Sequence, residues 1–379
     1  MQLPRKLKQQ RELEHLSPFA CPSIKSRGRK KEEIDCKVRT PYERDHGRIL
    51  YSVDFRRLRQ KTQVFFNPRN DHICTRMEHV LYVKYIASII GKALNLNVDL
   101  IEAIALGHDI GHAPFGHTGE RELQACLDKY QAGFTFQHEL HSLRVIDILT
   151  HHKENKYGLN LTFEVRDGIV SHCGEKYNEF QLAPNRTKKE EDLIPDAEIH
   201  KPPATLEGCV VRMADKIAYV GRDIEDAARA GLLGFDHLPL NLKTELGNSN
   251  SEIINTLVFD IIENSYDQDS INLSHSKGQA MEELLNNNLR QIYRSERIQR
   301  YEFTVRNVIQ GLFEIFIEYG NQRDRLENES KNNFVFKNFL EYLKKHPERN
   351  STIYRKVVDY IAGMTDHFAQ EAFKQIFQV

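Results

Sequence analysis

Gly107-His108-Asp109-Ile110-Gly111-His112-Ala113-Pro114-Phe115-Gly116-His117-Thr118-Gly119-Glu120 sets three histidines and two carboxylates into a glycine-punctuated turn. Within a helix, adjacent His and Asp side chains diverge, but at a helix end they can converge on one ion. His108 and Asp109 are therefore a candidate ligand pair for a metal. His112, His117 and Glu120 follow closely enough to serve proton transfer. The rest of the chain has to supply the missing ligands.

Upstream, residues 77–94 carry an apolar stripe at helical spacing: Val80, Leu81, Ile86, Ile89, Ile90, Ala93 and Leu94. Arg76 and His79 fall in the first turn of that helix. Asp99 is expected to cap a second helix, Leu100–Leu106, that runs straight into His108-Asp109. Downstream, Leu206–Ala230 reads as one long helix containing Asp215. On it Asp215, Tyr219 and Asp223 are spaced i, i+4, i+8 and share a face, with Val211, Ala214, Ala218 and Ile224 beside them. A carboxylate among apolar neighbours is costly unless it is paired. A salt bridge to Lys216 or Arg222 is the plain alternative, but those side chains leave the wheel elsewhere. A bound metal removes the cost. Lys216 and Tyr219 are placed to touch a bound anion.

His79, His108, Asp109 and Asp215 are thus the candidate ligands of one divalent ion. Two imidazoles and two carboxylates, with no thiolate, suit Mn, Fe, Co, Ni, Zn or Mg better than a closed structural zinc cage.

The remaining chain reads as helical. Tyr42–Arg59 has near-helical apolar spacing, and helices are expected over 120–130, 138–150, 163–172, 299–320 and 352–377, the last with Gly363 inside it. A turn is expected at Asn67–Asp71. Prolines 184, 195, 202 and 203 and the run Lys188-Lys189-Glu190-Glu191-Asp192 mark 174–204 as an exposed polar loop, a candidate lid. Residues 247–290 read as short surface helices and loops. His141, His151 and His152 read as solvent-facing or satisfied histidines. No long alternating apolar run indicates strands.

The 379 residues carry a net charge of −1, which gives no global case for nucleic acid. Residues 1–60, however, hold sixteen Lys/Arg against eight Asp/Glu. Residues 1–40 are expected to be a basic arm, mobile until packed. It is a solvated surface or oligomer contact first, and a polyanion-binding segment second. Six scattered cysteines without a C-x-x-C pair argue for reduced thiols and a cytoplasmic location. No apolar run approaches the roughly 18 residues of a membrane span.

Several segments together resemble the HD-domain superfamily, and within it the deoxynucleoside triphosphate triphosphohydrolases (the dGTPase family). They are Arg76-Met77-Glu78-His79, the opening stretch, Ala214-Asp215-Lys216-Ile217-Ala218-Tyr219 and Asp223-Ile224-Glu225-Asp226. Phe55-Arg56-Arg57-Leu58, Lys61-Thr62-Gln63-Val64 and Asp359-Tyr360-Ile361-Ala362-Gly363-Met364-Thr365-Asp366 extend the match from about residue 26 to the C-terminus.

The resemblance implies an all-α fold, an HD-domain helical bundle with additional C-terminal helices. It divides the chain into the arm (1–40), a phosphohydrolase core (41–235) and a C-terminal helical region (236–379) packed on it. It implies metal-dependent hydrolysis of dNTPs, dGTP among them, to deoxynucleoside and triphosphate. His117 is then the acid/base group and Glu120 its partner. His112 and His138 line the phosphate pocket; Arg76, Lys216 and Tyr219 hold the triphosphate. Gln63 and Asp223 read the sugar 3′-hydroxyl. A ring-like homo-oligomer, a hexamer, is expected, with single-stranded DNA or an allosteric dNTP as further partners.

The chain departs from the family after Phe136-Gln137-His138, where Glu139 and His141 replace the usual Asn and Gln. Two other classes compete with this reading. One is another HD phosphohydrolase, a 5′-nucleotidase or a (p)ppGpp hydrolase. The other is a nucleotide- or single-strand-binding regulator, which the complete ligand set opposes.

Overall fold

A computed structural model describes residues 4–63, 74–153, 156–173, 179–194, 201–346 and 351–377. The expected turn at Asn67–Asp71 lies outside them. The described chain is helical, as expected. In order, the helices are α1 (Pro4–His15), α2 (Pro41–Leu50), α3 (Val53–Arg57), α4 (Arg76–Ala93), α5 (Val98–Gly107) and α6 (Gly116–Lys129). Then come α7 (His138–Arg144), α8 (Phe163–Val170), α9 (Leu206–Val220), α10 (Arg222–Arg229), α11 (Leu240–Leu246) and α12 (Asn250–Ser265). The chain ends with α13 (His275–Asn288), α14 (Glu296–Asn321), α15 (Arg323–Glu329), α16 (Phe334–Lys345), α17 (Ile353–Ala362) and α18 (Asp366–Phe377). Two short antiparallel strand pairs, His151–Lys153 with Lys156–Tyr157 and Gln181–Leu182 with Ile271–Asn272, are the β structure among these residues.

Two apolar cores form. The first gathers α2, α4, α5, α8 and α9 with α12 and α13, through residues such as Ile49, Ile90, Ile104, Ile169, Val210, Leu257 and Leu284. The second joins α6 to α14, α16, α17 and α18 through Leu123, Phe313, Phe316, Phe339 and Ile361. The turn quoted at the outset runs between the two.

Local polar contacts break several segments that apolar periodicity reads as continuous. Ser52 Oγ accepts from Phe55 N at 3.1 Å and restarts the chain as α3. Asn97, not Asp99, caps α5, its side chain accepting from Leu100 N; Asp99 sits in the first turn. The expected Leu206–Ala230 helix divides at Gly221. Asn288 Nδ2 donates to the Val220 carbonyl at 2.7 Å, an acceptor that a continuous helix spends on Ile224. The expected 352–377 helix ends at Ala362, whose carbonyl accepts from Lys61 Nζ at 2.7 Å, and Thr365 Oγ1 caps α18. Gly363 therefore lies between two helices.

Other expectations yield to long-range packing. Residues 250–288 are not surface segments: Ile253, Leu257, Ile261 and Met281 are fully buried in the first core. The basic arm is folded onto the body. Glu12 accepts from Ser23, Arg29 donates to the buried Asp45, and Lys30 pairs with Asp147 at 2.7 Å. In the polar segment, residues 174–178 and 195–200 lie outside the described set, but Lys188 is buried and bonded to Asp167 and Ser171. That stretch is anchored at Lys188, while Gln181, Ala183, Arg186, Thr187, Lys189, Glu190, Glu191 and Ile194 are exposed, as the polar composition predicts.

One close approach decides how the site turn sits. A Cβ built on Gly111 falls 2.1 Å from Ser142 N and 2.5 Å from the His141 carbonyl carbon, both backbone. Backbone cannot swing aside, so Gly111→Ala should lower unfolding free energy by about 3 kcal/mol. Gly47→Ala, in the open middle of α2, should raise it by about 0.5–1 kcal/mol. Urea midpoints of the two variants test this; an unaffected Gly111→Ala protein would refute the packing.

Candidate active site

The turn is held from three sides. From α7, Ser142 Oγ donates to His108 O and accepts from Gly111 N, and His141 Nδ1–H donates to Gly111 O at 2.7 Å. His141 is thus buried, with Nδ1 bonded and Nε2 3.5 Å from Asp359 Oδ1, while His151 is exposed. From α18, Asp366 accepts from Phe115 N at 2.8 Å and Thr62 N at 2.9 Å. Phe115 adopts a left-handed conformation (φ 65°), unfavourable for a residue with a Cβ. Asp366 is one of the contacts that hold it there. From below, Lys61 Nζ donates to the carbonyls of His112 and Ala362.

These contacts gather the predicted ligands. His79 Nε2 lies 2.8 Å from Asp215 Oδ1. His108 Nε2 lies 3.8 Å from both Asp215 Oδ1 and Asp109 Oδ1. His79, His108 and Asp215 form one potential ligand group; His108 and Asp109 form another with His172. Asp109 is shared with Arg76, whose Nη1 donates to Oδ2 at 2.7 Å in the interior. Burial works to raise the Asp109 carboxyl, but Arg76 and the histidines outweigh it and hold the group well below the usual range. Burial likewise opposes ionisation of Asp215, but the bond from His79 and the nearby imidazoles outweigh it and bring the carboxyl down to about 2. Both carboxylates are charged and ready to bind a cation.

The donor set fits a metal on a further observation. His108 Nδ1–H donates to Ala105 O at 2.7 Å, which leaves the lone pair on Nε2. That Nε2 is buried and has no hydrogen-bond partner. An orphaned imidazole nitrogen facing two carboxylate oxygens is what a cation-binding site requires.

A second group stands beside the first. Glu120 accepts from His117 Nδ1 at 3.1 Å, from His138 Nδ1 at 3.1 Å and from His138 N at 2.8 Å. His112 stacks on His138, ring centroids 3.9 Å apart. Burial, then the charges of Arg76 and His138, push the His112 imidazole far down, so it is neutral. His117 is the solvent-facing member, its side chain 58% exposed.

Other predicted positions differ. Lys216 Nζ pairs with Glu179 Oε2 at 3.4 Å. Tyr219 is half-buried against the first core. Asp223 is on α10, across the break from α9, so it leaves the helical face that Asp215 and Tyr219 still share. It remains buried, with Oδ2 accepting from Tyr293 at 2.6 Å and Oδ1 unbonded. Gln63 Oε1 is also buried without a partner. Arg76 keeps Nε and Nη2 unbonded, Nη2 lying beside Gly116.

Sequence reasoning missed His172, Cys173 and Glu179. His172 sits 4.9 Å from His108, ring to ring. The signal available was a His-Cys pair directly after the apolar helix 163–170.

These are the features of an HD-domain phosphohydrolase. The HD domain family matches residues 76–220, and the phosphohydrolase-associated domain matches 271–375. The chain is 38% identical over 372 residues to a deoxyguanosinetriphosphate triphosphohydrolase-like protein of Desulfatibacillum aliphaticivorans, covering 97% of this chain and 96% of the relative. A protein of the same description from Caldanaerobacter subterraneus is 39% identical, covering 98% and 95%. One from Clostridium perfringens is 38% identical, covering 96% and 94%. The chain belongs to the deoxyguanosinetriphosphate triphosphohydrolase-like family. Among the described residues no helix is long and apolar enough to cross a membrane.

Asp223 provides a test of the site's electrostatics. Burial raises its carboxyl from 3.8 to about 7. Between those values the folded protein keeps a proton that the unfolded chain loses, so stability falls as pH rises, by at most ~4 kcal/mol. Asp223→Asn should therefore stabilise the metal-free protein at pH 8 and change it little at pH 4. Melting curves at both pH values measure this; a variant with the wild-type pH dependence would refute it.

Proposed function

We propose that the chain hydrolyses deoxynucleoside triphosphates, dGTP among them, to the deoxynucleoside and inorganic triphosphate. The observation that carries this reading is the pairing of two groups: an orphaned His108 Nε2 among ionised Asp109 and Asp215, and the Glu120-linked histidines next to it. The first suits a divalent ion held by His79, His108, Asp109 and Asp215. The second suits proton transfer at a leaving oxygen. The names of the relatives favour a purine deoxynucleotide.

Bound there, a divalent cation such as Mn or Mg supplies positive charge to the α-phosphate and lowers the pKa of water. The protein's own groups do the rest. Arg76, with two unbonded donor nitrogens, neutralises phosphate charge. Neutral His112 and the stacked His138 bound the phosphate pocket. Lys216 adds positive charge at its margin, with Glu179 as its resting partner, and Tyr219 supplies a hydroxyl. Glu120 accepts from His117 Nδ1–H, so Nε2 is the atom left to exchange a proton with the departing 5′-oxygen. Gln63 and Asp223 each present a buried, unbonded acceptor oxygen, suited to the sugar 3′-hydroxyl. Water attacks the α-phosphorus, the bond to O5′ breaks, and triphosphate leaves intact.

Incubation with dGTP and Mn should yield triphosphate and deoxyguanosine. Stepwise orthophosphate or a nucleoside monophosphate would overturn the proposal in favour of another phosphohydrolase reaction.

Variants separate the two groups. His117→Ala should lower kcat by roughly 10²–10⁴-fold while bound metal persists. Asp109→Ala should lose metal and turnover together. Elemental analysis alongside kinetics tests both; metal loss in the His117 variant would mean that this residue belongs to the ligand set.

A further inference from the structure

Cys173 takes no part in the chemistry above, yet two histidines are built around it. Its Sγ lies 3.2 Å from His138 Nε2 and 3.2 Å from His172 Nε2. The far side of each ring is fixed. His138 Nδ1 is bonded to the Glu120 carboxylate at 3.1 Å, and His172 Nδ1 to the Ile169 carbonyl at 2.6 Å. An acceptor on Nδ1 orients each ring and turns its Nε2 toward the sulfur. Burial opposes a charge on His138, but the neighbouring Cys173 and Glu120 outweigh it and raise the group well above its ordinary value, so its Nε2–H faces Sγ. One sulfur and two imidazole nitrogens thus converge beside two buried rings.

We propose that Cys173, His138 and His172 form a second metal site, selective for soft divalent ions such as zinc or cadmium. The three ligand atoms lie within 4.8 Å of one another. None of these residues is among the four ligands nominated for the first ion. A thiolate with two neutral imidazoles is a borderline-soft donor set that favours Zn over Mg or Mn. Glu120 and the Ile169 carbonyl occupy the outer positions that orient metal-bound histidines. Binding is a proton exchange: the S–H bond and the His138 Nε2–H bond break, the sulfur–metal and nitrogen–metal bonds form, and the two protons pass to solvent. The site stands on this geometry whether or not the chain hydrolyses dNTPs.

Cadmium chloride titrated into the full-length protein tests the proposal through the ultraviolet thiolate-to-cadmium charge-transfer band, which needs no turnover. The wild type should develop the band with one equivalent of cadmium. Cys173→Ser should lose it. His172→Gln keeps the thiol and should weaken cadmium binding at least 10-fold, and Glu120→Gln, which replaces the carboxylate behind His138 by a neutral amide, by roughly 10–100-fold. Asp215→Asn, altering the first group alone, should leave the band in place. A wild type without the band, a band that survives in Cys173→Ser, or one that disappears in Asp215→Asn would overturn the assignment.

Discussion

In the interior of the molecule the Arg76 guanidinium donates to Asp109 at 2.7 Å, with both side chains almost inaccessible to water. Removing two such charges from water costs several kcal/mol per ion. One pair does not offset that for the neighbours as well. His79 bonded to Asp215, the orphaned His108 nitrogen and the free donors of Arg76 add to the unsatisfied polarity. A cation and an anionic substrate are the groups that relieve it. The protein accepts the strain because the surrounding helices fix these side chains and leave all but Asp215 almost inaccessible to water.

The fixation comes from both cores. Ser142 and His141 hold the His108–Gly111 turn from α7, and α7 is tied to the C-terminal region by the Arg144–Asp359 pair at 2.7 Å. Asp366 and Lys61 reach the same turn from the other side. The phosphohydrolase-associated segment is thus part of the site's frame. Phe115 in its left-handed conformation belongs to this frame: the backbone strain is held by bonds from residues some 250 positions away in sequence.

Histidine tautomers recur as the organising device. His108, His138 and His172 each have Nδ1 bonded to an acceptor, a backbone carbonyl or Glu120, and each turns Nε2 toward a potential ligand position. The rings are packed edge to face or stacked, so their orientations reinforce one another. One cluster can therefore serve cation binding, proton transfer and a sulfur-containing site without mixing the roles of the nitrogens.

The all-α class, the helices around residues 77–94 and 299–320, and the meeting of His79, His108 and Asp215 were legible in the chain itself. Apolar periodicity and the His-Asp dipeptide after an apolar helix are short-range signals. Helix ends were not legible, because Asn288, Lys61 and Thr365 set them with polar contacts that periodicity does not record. Nor was the Lys216–Glu179 pair, the burial of Lys188, or the Cys173 cluster. Each of these depends on groups separated in sequence that only packing brings within bonding distance. The opening stretch marked His108 and Asp109 as candidate ligands by composition and spacing. Which nitrogen of each histidine faces the candidate site, and what stands behind it, was decided by the tertiary structure, because a hydrogen bond on one side of the ring fixes the direction of the other.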